Sequence, residues 1–174
     1  MYEKKNSKYS RRDLFRGFLR NVRGQSMENE PSGLDPQVFR ADRLLREEKY
    51  TEAAKLYASC LEKEPDHAEA WRKLGFCRLK LNQTSGARQA FEELNRIRPG
   101  DHFAALYTGL AYAMDSNLKK AMETWKTYFN LKQPLIQREI NLTLALYERG
   151  DQMEASKVVK SVQKAIEAQR QSQR

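Results

Sequence analysis

The stretch "AEAWRKLGFCRLKLNQTSGARQAFEELNRIRPGD", residues 68–101, decides the fold, because its pattern of small, apolar and aromatic residues recurs every 34 residues. The recurring positions are Trp71, Leu74, Gly75, Ala87, Phe91 and Pro99 in this stretch; Ala53, Tyr57, Cys60 and Pro65 before it; Gly109, Tyr112, Ala121, Trp125 and Tyr128 after it; and Leu142, Leu146, Ala155, Val159 and Val162 one step further. A period of this length predicts helix pairs that bury their apolar faces only by stacking on their neighbours.

The order Trp, Leu-Gly, Ala, Phe, Pro within residues 68–101 resembles the tetratricopeptide repeat, although Arg78 stands where that family usually has an aromatic residue. The resemblance implies an all-α fold, a right-handed α-solenoid of about four helix pairs. The predicted repeats are residues 34–67, 68–101, 102–135 and 136–168, followed by a polar tail at 169–174.

In this family the first helix of each pair lines a concave groove. The groove positions that the resemblance implies are Arg72, Phe76, Leu79, Phe103, Leu106, Leu110, Ile140, Leu144 and Tyr147. The helix predicted at residues 103–114 is apolar on every side and should therefore be buried on every side. Either the solenoid curls until the groove closes, or a bound helix or peptide occupies it. Some family members grip a C-terminal dicarboxylate with Lys, Asn and Arg residues. In this chain those positions hold Val38, Asp42, Phe103 and Tyr107. An apolar or amphipathic ligand therefore fits the groove better than a dicarboxylate.

We find no constellation of residues typical of a catalytic or metal site. His67 and His102 fall in the predicted turns between repeats, without a cysteine or carboxylate at ligand spacing. Cys60 and Cys77 form no CxxC pair and are expected to be buried thiols. The sequence thus predicts a protein that is not an enzyme and that uses no cofactor and no metal.

Residues 1–24 carry eight basic and two acidic side chains, a net +6 out of +9 for the whole chain. Within them "SRRDLFRG" resembles the twin-arginine export signal, but the apolar stretch that such a signal needs does not follow. We therefore expect a basic amphipathic docking helix joined to the solenoid by a flexible linker at residues 25–33. The residues assigned to docking are Arg11, Arg12, Leu14, Phe15, Phe18 and Leu19.

These observations predict a non-enzymatic adaptor that binds an apolar or amphipathic helical peptide of a protein partner. We expect a bacterial, cytoplasmic protein, peripheral to the inner membrane, that acts as an assembly factor for a membrane or redox complex. Contact of residues 9–24 with an anionic membrane surface and self-association are further expectations. The alternatives are a nucleic-acid-binding protein that uses the arginine arm, which is disfavoured because the rest of the chain is nearly balanced in charge, and an exported tetratricopeptide protein.

Overall fold

The structure is a computed structural model that describes residues 36–173. That part of the chain contains eight helices and no strand. The helices are α1 (Pro36–Arg46), α2 (Tyr50–Lys63), α3 (Ala68–Lys80), α4 (Thr84–Ile97), α5 (His102–Met114), α6 (Leu118–Trp125), α7 (Pro134–Glu148) and α8 (Ala155–Ser172). The docking segment (residues 1–24) and the linker (residues 25–33) lie outside the described residues. None of the helices in residues 36–173 is long and apolar enough to cross a membrane.

The 34-residue period is visible in the backbone of the turns that join the two helices of each pair. Glu48, Asn82, Ser116 and Gly150 stand 34 residues apart, and each has a positive φ, between 56° and 86°. This left-handed conformation lets the chain reverse within three to six residues and is easiest for glycine and asparagine. From α1 to α6 each helix packs against the next one in sequence, so three helix pairs stack into the predicted solenoid.

Close packing within the second and third pairs depends on a glycine in the first helix and an aromatic residue in the second. A methyl group added at Gly75 would lie 2.3 Å from the ring of Phe91, and one added at Gly109 would lie 2.3 Å from the indole nitrogen of Trp125. Phe91 and Trp125 are themselves buried. The glycines therefore allow each ring to lie directly on the backbone of the neighbouring helix.

The fourth pair follows the repeat in sequence but packs differently. Helix α6 spans only 8 residues, whereas α2 and α4 span 14 each, and a turn-rich segment fills residues 126–133. The pair meets α5 chiefly through α8, its second helix. Leu142, at a position that is buried in the second repeat as Leu74, is 51% exposed.

The predicted polar tail at residues 169–174 begins inside helix α8. Helix α8 continues to Ser172, and Gln169 is only 4% exposed. The side chain oxygen of Gln169 accepts a hydrogen bond from the backbone nitrogen of Leu135 at 3.0 Å. It thereby satisfies one of the free amide groups at the start of α7, where the residue before the helix makes no side-chain cap.

A candidate groove for a helical partner

The face shared by α3 and α5 is named the groove, and α8 lies against its α5 side. Aromatic rings from four helices meet there, and together they form the aromatic cluster: Tyr50, Phe76, Phe91, Phe103 and Tyr107. The ring centres of Phe103 and Tyr107 are 4.2 Å apart, and Phe76 meets Tyr107 edge to face at 5.8 Å. Pairs of this geometry stabilise one another by about 0.5–1.5 kcal/mol beyond the area they bury. The cluster is thus an apolar surface of rings that pack on one another, and it is called the platform.

Cationic side chains border the platform. The guanidinium carbon of Arg72 lies 4.3 Å from the ring centre of Phe103, and the ammonium group of Lys80 lies 5.5 Å from that of Phe76. Burial raises the pKa of Tyr107 to about 12, although Arg72 and Arg170 act in the opposite direction. The Tyr107 hydroxyl is therefore protonated at neutral pH. With Arg72 and Lys80 at its border, the groove combines uncharged aromatic rings with positive charge.

Helix α8 provides the cover that the apolar sequence of α5 requires. Val158 and Val162 are 4% and 0% exposed and belong to the same buried cluster as Leu106 and Leu110 of α5. Ile166, one turn further along α8, packs against this cluster. In the described residues a helix of the chain itself, α8, covers this side of α5. Occupation of the groove by a separate helix or peptide stays a prediction.

A cavity of about 500 Å³ remains between the C-terminal half of α8 and the groove. Its walls include Arg72, Phe103, Leu106, Tyr107, Ile166 and Arg170. The volume lies in the range of ligand pockets, which are mostly apolar with a few polar groups. The carboxylate at its edge, Asp101, already accepts a hydrogen bond from the backbone nitrogen of Ala104 as the N-cap of α5.

Comparison with known proteins identifies the repeats. The sequence pattern of a tetratricopeptide repeat family matches residues 44–110. The chain is thus similar to the tetratricopeptide repeat family over these residues. It is 27% identical over 86 residues to a peroxisomal targeting signal receptor of Yarrowia lipolytica, covering 49% of this chain and 14% of the receptor. It is also 27% identical over 114 residues to a tetratricopeptide repeat and J domain-containing co-chaperone of Cryptococcus neoformans var. grubii, covering 66% of this chain and 22% of the co-chaperone.

The chain thus spans between about a seventh and a fifth of the length of these curated relatives. Two solved structures share its fold over most of its length. The structure described as MamA RS-1 ArsTM double mutant superposes with a TM-score of 0.60 at 22% identity, covering 94% of this chain and 98% of that one. A crystal structure of MamA gives a TM-score of 0.60 at 17% identity, covering 92% and 91%.

The nine residues that the sequence assigns to the groove divide into three groups. Arg72, Phe76 and Phe103 are partly buried in or beside the aromatic cluster, and Leu106 forms part of the cavity wall. The side chains buried in the core, which line no open surface in this structure, are Leu79, Leu110 and Ile140, with 6%, 2% and 0% exposure. Leu144 and Tyr147 are partly buried and pack against that core. Contact of any of the nine residues with a ligand stays a prediction.

Sequence reasoning missed the contributions of Ile166, Gln169 and Arg170, because residues of the second helix in a pair are not expected to face the groove. The signal that marks them is the apolar stripe of α8, in which Val158, Val162 and Ile166 follow one another at intervals of four. The sequence analysis also assigned the histidines only to turns. His67 in fact caps α3, since its Nδ1 accepts a hydrogen bond from the backbone nitrogen of Ala70 at 3.2 Å.

The second cavity, of about 530 Å³, lies among α2, α3 and α4 and is more acidic. Glu62, Glu92 and Glu93 surround apolar walls that include Leu61 and Trp71. Within residues 36–173 no group of three or more histidine, cysteine or acidic side chains is arranged to hold a metal ion.

Proposed function

We propose that this chain is a non-enzymatic adaptor that binds an apolar or amphipathic helix of a partner protein in the groove. The observation that carries the proposal is that the α5 side of the groove already accommodates a helix, α8, through apolar contacts of Val158 and Val162 with the core around Leu106 and Leu110. Large aromatic side chains in a firm arrangement are the residues that most often dominate the energy of protein interfaces. The relatives named a targeting signal receptor and a co-chaperone support a protein-binding role.

The charged groups of the groove favour an apolar ligand over a dicarboxylate. Asp42 stands where a clamp needs a neutral or basic residue, and its carboxylate is 2.8 Å from the ammonium group of Lys73 and 2.5 Å from the hydroxyl of Tyr57. Lys73 is therefore engaged within the protein and is not available for a ligand carboxylate. Phe103 and Tyr107, at the second clamp position, take part in the aromatic cluster.

The test is the capture of partner proteins by the full chain carrying Phe76→Arg. Phe76 contacts three rings of the cluster yet is not fully buried, so the arginine has access to solvent and the fold is expected to survive. Loss of an aromatic anchor of this kind costs about 2 kcal/mol or more of binding free energy, roughly 30-fold in Kd. Leu106, also a predicted groove residue, is unsuitable because it is 3% exposed and its replacement would damage the core.

The matched control is Phe129→Arg, since Phe129 is 60% exposed and lies outside both the cluster and the 500 Å³ cavity. We expect specific partners to be lost with Phe76→Arg and retained with Phe129→Arg, while circular dichroism shows both variants folded. Equal recovery of every partner by the two variants would exclude the groove as the binding surface.

For the N-terminal segment the proposal rests on sequence alone. Its basic amphipathic pattern supports docking at an anionic membrane surface, which suits a cytoplasmic assembly factor for a bacterial membrane or redox complex. Binding of residues 1–24 to anionic vesicles, as described in the Discussion, tests this part separately from the groove.

A further inference from the structure

We propose that α8 is a displaceable cover of the groove, and that the partner is an amphipathic helix that takes its place. This inference rests on the proposed function and specifies the chemistry of the partner. The partner helix would carry apolar side chains at the spacing of Val158, Val162 and Ile166, that is, at i, i+4 and i+8. At the position of Ile166 it would carry a larger apolar side chain, and at the position of Arg170 an acidic one.

The contact of α8 with the groove is apolar, whereas its polar contacts lie elsewhere. Gln169 accepts from the backbone nitrogen of Leu135, and Gln173 donates to the backbone oxygen of Lys132 at 3.3 Å. Both partners belong to the start of α7 or the segment before it. No hydrogen bond or ion pair between described residues joins α8 to α3 or α5. The polar contacts therefore hold α7 and α8 together as one hairpin, which can leave the groove without breaking them.

The hairpin is attached to the third pair through the irregular segment 126–133 and packs only lightly against α6. Its outer side exposes two leucines among polar residues, since Leu135 and Leu142 on α7 are 39% and 51% exposed. These two residues are seven positions apart and so lie on one side of the helix. Exposed apolar side chains of this kind are available for contact with a partner.

The fit of α8 to the groove is incomplete. The cavity of about 500 Å³ lies directly under its C-terminal half, between Ile166 and the rings of Phe103 and Tyr107. The cavity is partly open to solvent, so a larger apolar side chain there would bury additional surface. A partner with Phe in place of Ile166 would fill part of the cavity and so bind more tightly than α8 itself.

The charges around the cavity also favour a partner helix over α8. Arg170 of α8 and Arg72 of α3 both line the cavity, and like charges at one site disfavour binding. Between described residues Arg72 forms one ion pair, with Glu69 at 3.5 Å, and the single carboxylate that lines the cavity, Asp101, already caps α5. An acidic side chain in place of Arg170 would replace this repulsion by attraction, which gives the expected charge of the partner.

The experiment uses the full chain and a fluorescently labelled peptide with the sequence of residues 155–172. In the chain, Val162→Asp places a charge at a position with 0% exposure and should release α8, whereas Lys164→Asp introduces the same side chain on the exposed side of α8. We expect the peptide to bind the Val162→Asp chain at least 10-fold more tightly than the wild-type or Lys164→Asp chain. A peptide carrying Ile166→Phe and Arg170→Glu should bind at least 10-fold more tightly than the unmodified peptide.

A folded Val162→Asp chain that binds the peptide no better than the wild type would overturn the proposal. If that variant does not fold, amide hydrogen exchange of the wild-type chain decides. Displacement requires that α7 and α8 exchange together and faster than α3 and α5, and exchange of all four helices at one common rate would also overturn it. A partner that is captured through Phe76 but equally well by the wild-type and Val162→Asp chains would refute the cover while leaving the proposed function intact.

Discussion

Replacing Gly109 by alanine tests whether the third helix pair is packed as closely as the structure indicates. The added methyl carbon would lie 2.3 Å, 2.5 Å and 2.7 Å from three atoms of the Trp125 indole. Ordinary contacts between such atoms are about 3.5–4.0 Å, so the ring would have to move by roughly 1 Å. Trp125 is 0% exposed and donates a hydrogen bond to the backbone oxygen of Leu106 at 3.0 Å. The ring therefore has no free direction in which to move.

Overpacking of this kind typically costs about 1–3 kcal/mol, and a weakened hydrogen bond adds about 0.5–1.5 kcal/mol. Against this, alanine is favoured over glycine in a helix by roughly 1 kcal/mol. The balance is a loss of about 2 kcal/mol in the free energy of unfolding, which corresponds to a fall in Tm of roughly 4–8 °C for a chain of this size. Thermal and urea unfolding followed by circular dichroism measure it.

The control is Gly86→Ala, on α4. There the added methyl carbon would lie 3.1 Å from a side-chain carbon of Arg78, which is flexible and can yield. We expect no loss of stability, or a gain of up to about 1 kcal/mol from helix propensity. Combining Gly109→Ala with Trp125→Leu should cost less than the sum of the two single changes, because the smaller side chain makes room. A Gly109→Ala chain as stable as the wild type would refute the packing argument.

Three further predictions concern other parts of the chain. Gln169→Ala should lower the free energy of unfolding by about 1 kcal/mol because α7 loses its cap, whereas Gln163→Ala, on the exposed side of α8, should not, as measured by urea unfolding. Burial raises the pKa of Asp42, but hydrogen bonds from its two neighbours outweigh burial and hold this pKa below its ordinary value. Its contribution to stability is therefore present above the ordinary carboxyl pKa and is lost as the pH falls through the lowered one, so Asp42→Asn should flatten the acid side of a plot of Tm against pH. Phe15→Ser with Phe18→Ser should weaken binding to anionic liposomes although every charge remains; unchanged liposome binding, together with salt-dependent DNA binding, would favour the nucleic-acid alternative.

The helix pairs were predictable because each rests on local chemistry that repeats. A glycine at one position and an aromatic ring 16 residues later, as in Gly75 with Phe91 and Gly109 with Trp125, give close helix pairs wherever they occur. The sequence also showed that α5 needed a cover. It did not show which helix supplies that cover, since apolar residues at helical spacing are equally suited to the outer side of a repeat.

The departure of the fourth pair arises from residues that act together in the segment 126–133. Pro134 cannot donate an amide hydrogen bond and disfavours a helical conformation at Gln133, so α7 begins at Pro134 rather than earlier in the segment. The backbone nitrogen of Asn130 donates to the side chain of Gln137 at 2.7 Å, and the Tyr128 hydroxyl donates to Gln133 at 3.1 Å. These bonds fix the turn. Amide side chains form them only once the helices are placed, which is why spacing alone could not predict them.

The measurement that tests the central claim most directly is the mapping of a captured partner onto the chain by NMR chemical shifts. For a partner whose capture depends on Phe76, we predict shifts at Arg72, Phe76 and Tyr107, loss of the wild-type environment of Val162, and competition by the peptide of residues 155–172. Shifts confined to the acidic cavity around Trp71, with α8 unchanged and no competition by that peptide, would contradict the groove as the binding site.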